Sequence, residues 1–136
     1  MGQSSMSTFR FDLVSPEKLL FSGGVNQVDV PGAEGEFGVL AGHAPLVTTL
    51  RPGILVVHRD GGDLRVVVNG GFAEVSPAGL TVLADMAVPQ DEFDPAMLAG
   101  VIKDTEQDAA AATDDWRRDK LAHKLDQLKA LQAELQ

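Results

Sequence analysis

Apolar and polar positions alternate with a period of two over residues 8–88, then change to the helical period. Phe9, Phe11 and Leu13 alternate with Arg10 and Asp12, the mark of a strand with one buried face. Ser15-Pro16-Glu17-Lys18 reads as a turn, followed by a short strand over 19–21 that Ser22-Gly23-Gly24 ends. Val28 and Val30 alternate with Gln27 and Asp29, and short apolar strands are predicted over 37–40 and 46–50. Strands over 54–59 and 64–69 flank Asp60-Gly61-Gly62-Asp63, a hairpin signal. Asn69-Gly70-Gly71 predicts another turn, and Ser76-Pro77-Ala78-Gly79 separates strands over 72–75 and 80–84. Many short strands with Gly/Pro turns at such intervals predict an antiparallel sandwich or barrel.

The pattern breaks at Val88-Pro89-Gln90-Asp91-Glu92. Asp94-Pro95 is a helix start: Asp accepts from the first free backbone N–H groups, and Pro at the first helical position loses no bond. Met97, Leu98, Val101, Ile102, Thr105, Ala109 and Ala112 recur at helical spacing on one face. Thr113-Asp114-Asp115 turns the chain into a second helix, where Leu121, Leu125, Leu128, Leu131 and Leu135 form a stripe. Small alanines facing large leucines predict two helices packed closely and antiparallel. The stripe is read as hairpin core, with a coiled-coil seam to another chain as the alternative. Trp116, alone in the first turn of the second helix, is expected to pack over the hairpin or onto the sandwich.

The predicted fold is therefore β plus α: an N-terminal antiparallel β-sandwich over 8–88, a linker over 89–93 and a C-terminal antiparallel two-helix hairpin over 94–136. Residues 1–7 are expected to form a disordered, irregular start. Met6-Ser7-Thr8 reads as a natural beginning and residues 1–5 as a cloning remnant, with no signal-peptide character.

Composition narrows the function. The net charge of −9 opposes nucleic acid and insertion into anionic lipid, because both need a basic face. There is no cysteine, which excludes disulfides and thiolate metal sites. Apolar runs such as Gly53-Ile54-Leu55-Val56-Val57 fall far short of the ~20 residues of a membrane-spanning helix.

Catalytic chemistry is not legible. His43, His58 and His123 lie far apart, with no partner at zinc-binding spacing. No G-x-S-x-G elbow occurs. Gly32-Ala33-Glu34-Gly35-Glu36 carries acids where a phosphate loop needs a lysine. No catalytic residue, metal or cofactor is expected. A free-standing sandwich binding module is the alternative reading; aromatic content of 5% with no tyrosine speaks against a sugar-stacking face.

Residues 31–53 carry the order PG-x-EGEFGVL-x-GHAPLVT-x-L-x-PG, a run of specified tight turns. This segment resembles the signature stretch of the epsilon subunits of F-type ATP synthases, called delta in mitochondria. The resemblance extends over 8–87 in strand spacing, and over the tail in architecture more than in residues. It implies a non-catalytic rotor subunit, peripheral on the cytoplasmic face of a bacterial inner membrane. The sandwich would link the gamma subunit to the c-ring.

The resemblance also implies roles for particular residues. Glu34, Gly35, Glu36 and Gly38 would face the polar loops of the c-ring, where an acidic turn complements a basic loop. A solvated turn pair is the plainer reading of Glu34 and Glu36. Gly42, His43 and Pro45 would face gamma; the plainer reading of His43 is a turn imidazole bonded to a nearby carbonyl. The hairpin would be a regulatory arm that meets alpha and beta transiently through Arg117, Arg118, Lys120 and Lys124. Several bacterial members bind ATP through a motif of the form I-D-x-x-R-A. The matching stretch here is Phe93-Asp94-Pro95-Ala96-Met97-Leu98, with Met97 where the arginine would stand. That substitution removes the charge-assisted donor to a phosphate.

Overall fold

The computed structural model describes residues 7–136; nearly all of the expected irregular start lies outside the described residues. The chain divides into two compact units, one ending at Asp91 and the other running from Glu92 to Gln136.

The first unit is an eight-stranded, open β-sandwich. Its strands are β1 (Phe9–Val14), β2 (Leu19–Val25), β3 (Gln27–Gly32), β4 (Gly35–Leu40), β5 (Leu46–Thr49), β6 (Gly53–His58), β7 (Leu64–Ser76) and β8 (Gly79–Pro89). They hydrogen-bond in the order β2-β1-β8-β7-β6-β3-β4, with β5 added on β7. The alternation seen in the sequence is the alternation of burial: Phe11 and Leu13 of β1 have no exposed surface, and neither do Val28, Val30, Leu55, Val57, Val68 and Val82. Burying one such side chain contributes roughly 1.5–3 kcal/mol, so this cluster dominates the stability of the unit.

Two glycine-rich stretches differ from expectation. Ser22-Gly23-Gly24 does not end β2; Gly23 pairs with Phe11 and Gly24 with Arg10, so the ladder with β1 continues to Phe9 opposite Val25. Pairing with a neighbour outweighs the weak strand preference of glycine. Asn69-Gly70-Gly71 is not a turn either. β7 continues through it, pairing Asn69 with Met86 and Gly71 with Ala84 of β8. The glycines mark a change of partner: β6 pairs with β7 at Leu64 to Val68, and β5 pairs with it at Phe72 to Val75. Gly71 has φ +108°, and a Cβ there would run into the Leu83 carbonyl. Only glycine fits this bend, by which β7 and β8 serve both layers of the sandwich.

The sandwich is antiparallel as expected except at one ladder, where β1 lies parallel to β8 with Phe11 opposite Leu80 and Leu13 opposite Val82. No tight turn joins these strands, so nothing forces them antiparallel.

The second unit opens with a 3₁₀ turn at Gln90–Glu92, then α1 (Pro95–Ala111) and α2 (Asp115–Glu134). Each start is capped by a carboxylate: Ala96 N–H donates to Asp94 Oδ1 and Trp116 N–H to Asp114 Oδ1, both at 2.9 Å. Leu98 and Ile102 of α1 and Leu128 and Leu131 of α2 are buried, the hairpin core expected of the leucine stripe. Phe93, Pro95 and Leu98 share a crevice with Gln132, Leu135 and Gln136, so the start of α1 meets the end of α2. Lys129 Nζ reaches Glu106 Oε2 at 3.7 Å across the pair.

Two side chains expected to pack, Met97 on the apolar face of α1 and Trp116 over the hairpin or onto the sandwich, are exposed instead. Met97 is 43% exposed, because it sits one residue, or about 100°, round the helix from Leu98. Trp116 is 69% exposed rather than packed. The end of α1 nearest to it carries only Ala109, Ala110 and Ala111, too small to cover an indole. Among the described residues, no helix is long and apolar enough to cross a membrane.

Candidate functional site

The signature segment forms the β3–β4 hairpin, β4, the loop over 41–45 and β5. The β3–β4 turn closes tightly: Gly32 pairs with Gly35, and a Cβ on Gly32 would lie 2.8 Å from the Gly35 carbonyl oxygen. This projects Glu34 and Glu36 outward, both exposed. With Gly35, Phe37, Leu46 and Thr48 they line an open depression of about 350 Å³. Gly38 is not part of it. Gly38 lies opposite Asp29 on β3, where a Cβ would approach Gln27 Nε2 to 3.2 Å and Asp29 Oδ1 to 3.3 Å.

The loop over 41–45 builds a second depression of about 90 Å³, lined by Gly42 and His43 together with Phe9, Val39, Leu40 and the β7–β8 turn. Gly42 has φ +82°, the left-handed region that lets the chain leave β4 sharply. His43 N–H donates to the Leu40 carbonyl at 3.1 Å, and its Nδ1–H donates to the Ala44 carbonyl at 2.7 Å. The ring is therefore oriented by its own loop, as the plainer reading of His43 anticipates. Pro45 is exposed and outside this depression. The two depressions stay separate, but Phe37 touches both regions: it lines the first, and its ring centroid is 6.3 Å from that of His43.

Sequence reasoning missed the apolar surface beside these residues. Leu40 is 51% exposed and Val47 67%, on either side of the 41–45 loop. Phe72 of β7 pairs with Leu83 of β8, and both side chains are exposed. The signal was available for Phe72: in Phe72-Ala73-Glu74-Val75 it shares the outward face with Glu74. Exposed large apolar side chains grouped on one face mark interaction surfaces.

The basic side chains of the hairpin divide by role. Arg118 Nη2 donates to the Ala112 carbonyl at 3.0 Å and Nη1 to Asp115 Oδ1 at 3.0 Å, tying the helix–helix turn together. Lys120 Nζ lies 5.0 Å from the centre of the Trp116 ring, a cation–π pair on the surface. Arg117 and Lys124 are exposed. At the start of α1 the Asp94 carboxylate is engaged as a helix cap, and exposed Met97 adds no donor.

A family model for the ATP synthase delta/epsilon chain, beta-sandwich domain, matches residues 8–90. The chain is 53% identical over 130 residues to ATP synthase epsilon chain 1 of Nitrobacter hamburgensis, covering 96% of each. It is also 53% identical over 130 residues to the ATP synthase epsilon chain of Rhodopseudomonas palustris, again covering 96% of each. Among solved structures it is similar to a chain of the Euglena gracilis mitochondrial ATP synthase, in an OSCP/F1/c-ring assembly. There the TM-score is 0.72 at 30% identity, over 95% of this chain and 82% of that one.

Proposed function

The chain belongs to the epsilon-chain family of ATP synthases, and on that premise we propose that it is a non-catalytic rotor subunit of a bacterial F-type ATP synthase. Its sandwich joins the gamma subunit to the c-ring, peripheral on the cytoplasmic face of the membrane. The observation that carries this reading is the full-length match to epsilon chains, which includes both the sandwich and the hairpin. The surface supports it. The acidic turn at Glu34 and Glu36 suits a basic polar loop of the ring, an attraction that orients more than it binds. Leu40, Val47 and the 41–45 loop, with Gly42, His43 and Pro45, supply the desolvated contact that a permanent partner such as gamma needs.

Torque transmission requires a stiff body, and the long β7–β8 ladder, which pairs Val66 with Pro89 at one end and Ser76 with Gly79 at the other, contributes to one. The hairpin is the regulatory arm, meeting alpha and beta through exposed Arg117, Lys120 and Lys124; Arg118 serves the turn itself. ATP is not its effector, since Asp94 is a cap and Met97 stands where an arginine would grip phosphate. The test is whether this chain and the gamma subunit of the same source form a stable one-to-one complex.

A further inference from the structure

His58, at the end of β6, has both ring nitrogens against carboxylates. Nε2 lies 2.8 Å from Asp29 Oδ2 on β3, and Nδ1 lies 3.1 Å from Asp63 Oδ2 in the turn that leads into β7. A neutral imidazole carries one N–H and one lone pair. In that form one of the two contacts would set a lone pair against a carboxylate, which is repulsive at this distance. Both contacts are favourable only when both nitrogens bear protons. We propose that His58 is an imidazolium clamp, drawing β3 and the β6–β7 turn together when charged and releasing the turn when it loses a proton.

The surroundings fit this role. The other Asp29 oxygen accepts from Gln27 Nε2 at 2.7 Å, which fixes the carboxylate that faces His58. Gly38 of β4 sits beside that pair without a charge, and Glu36 lies two residues along the same strand. In the turn, Asp60 accepts at 3.2 Å from Nδ2 of Asn26, the residue just before β3. Arg59 Nε donates to the Gly62 carbonyl at 3.2 Å, and Arg65 of β7 donates to Gln90 Oε1 at 2.8 Å, so both cations are engaged elsewhere. The Asp29 hydrogen bond, with the charges of Asp29 and Asp63, raises the His58 pKa above its ordinary 6.5 against a smaller opposing effect of burial. Because the folded value is raised, the clamp's contribution is complete below 6.5 and is lost as pH rises through the folded value. In a rotor subunit this puts the cohesion of one end of the sandwich under the control of pH above 6.5. This consequence for a rotor rests on the function proposed above; the clamp itself does not.

Nitrogen-15 NMR of the His58 ring in the full chain tests the clamp without any partner. Both nitrogens should be protonated well below pH 6.5, with a titration midpoint above that value. Asp29→Asn should lower the midpoint. A midpoint at or below 6.5 in the natural chain overturns the proposal, whether or not the variant folds. Amide exchange over residues 59–63, corrected for intrinsic rates, should be several-fold faster above the titration than below it. His58→Gln should abolish that pH dependence. Exchange that is independent of pH in the natural chain would also overturn it.

Discussion

The side chain of Arg118 in α2 reaches back to the carbonyl of Ala112, 3.0 Å from Nη2, and so closes the end of α1. A helix leaves its last carbonyls without intrahelical donors, and a charged donor there also opposes the negative end of the dipole. One residue of the basic set read from the sequence as partner-facing thus has a local task.

Replacing Arg118 by Ala should destabilise the hairpin by about 1 kcal/mol, a modest figure because the side chain is half exposed. Arg117→Ala and Lys124→Ala should each stay within about 0.5 kcal/mol. Amide exchange across α1 and α2 reads the difference. Equal effects from all three would show that the Ala112 contact does not hold the turn.

The glycines divide in the same testable way. Gly71→Ala places a Cβ against the Leu83 carbonyl at φ +108° and should cost more than about 2 kcal/mol. A methyl group added at Gly100, inside α1, would meet nothing within 4 Å, so Gly100→Ala should stabilise by about 0.5–1 kcal/mol. Denaturant melts of the two variants should shift in opposite directions; a common direction would contradict this reading of β7.

The glycines also show what the sequence could and could not reveal. Alternation located the strands, and the pair Asp94-Pro95 located α1, because both signals are local. Whether Gly70-Gly71 bends a strand or ends it depends on β8, whose residues lie further along the chain. The parallel fit of β1 on β8 was hidden for the same reason. So was the His58–Asp29 contact, which joins residues 29 apart. The turn segment around His43 was legible from its Gly and Pro pattern. Its division into two depressions was not, because that depends on where Leu46, Thr48 and the β7–β8 turn fall in space.

ATP binding should be absent or very weak. Titration calorimetry with millimolar ATP should show no saturable heat. Micromolar affinity would mean that groups other than Asp94 and Met97 form a nucleotide site.

A chain ending near Asp91 should melt cooperatively on its own, since the sandwich core lies wholly within the first unit. In the assembled complex the same truncation should raise ATP hydrolysis by no more than a few-fold. The basic residues of α2 are offset by Asp115, Asp119, Asp126 and Glu134, and exposed pairs of this kind contribute only about 0–1 kcal/mol each. A tenfold rise or more would show that the arm grips its partners more strongly than these charges allow.

A sandwich that is a rotor part built to hold gamma must bind gamma on its own. The most direct measurement is the binding of the full chain to the gamma subunit of the same source, by calorimetry and size-exclusion chromatography. A stable one-to-one complex is predicted. Val47→Glu, on a side chain 67% exposed, should weaken it by about tenfold or more while leaving the melting temperature nearly unchanged. His43→Glu should weaken it in the same direction. Absence of a complex with the natural chain would contradict the rotor assignment, and full affinity in both variants would move the contact away from the loop over 41–45.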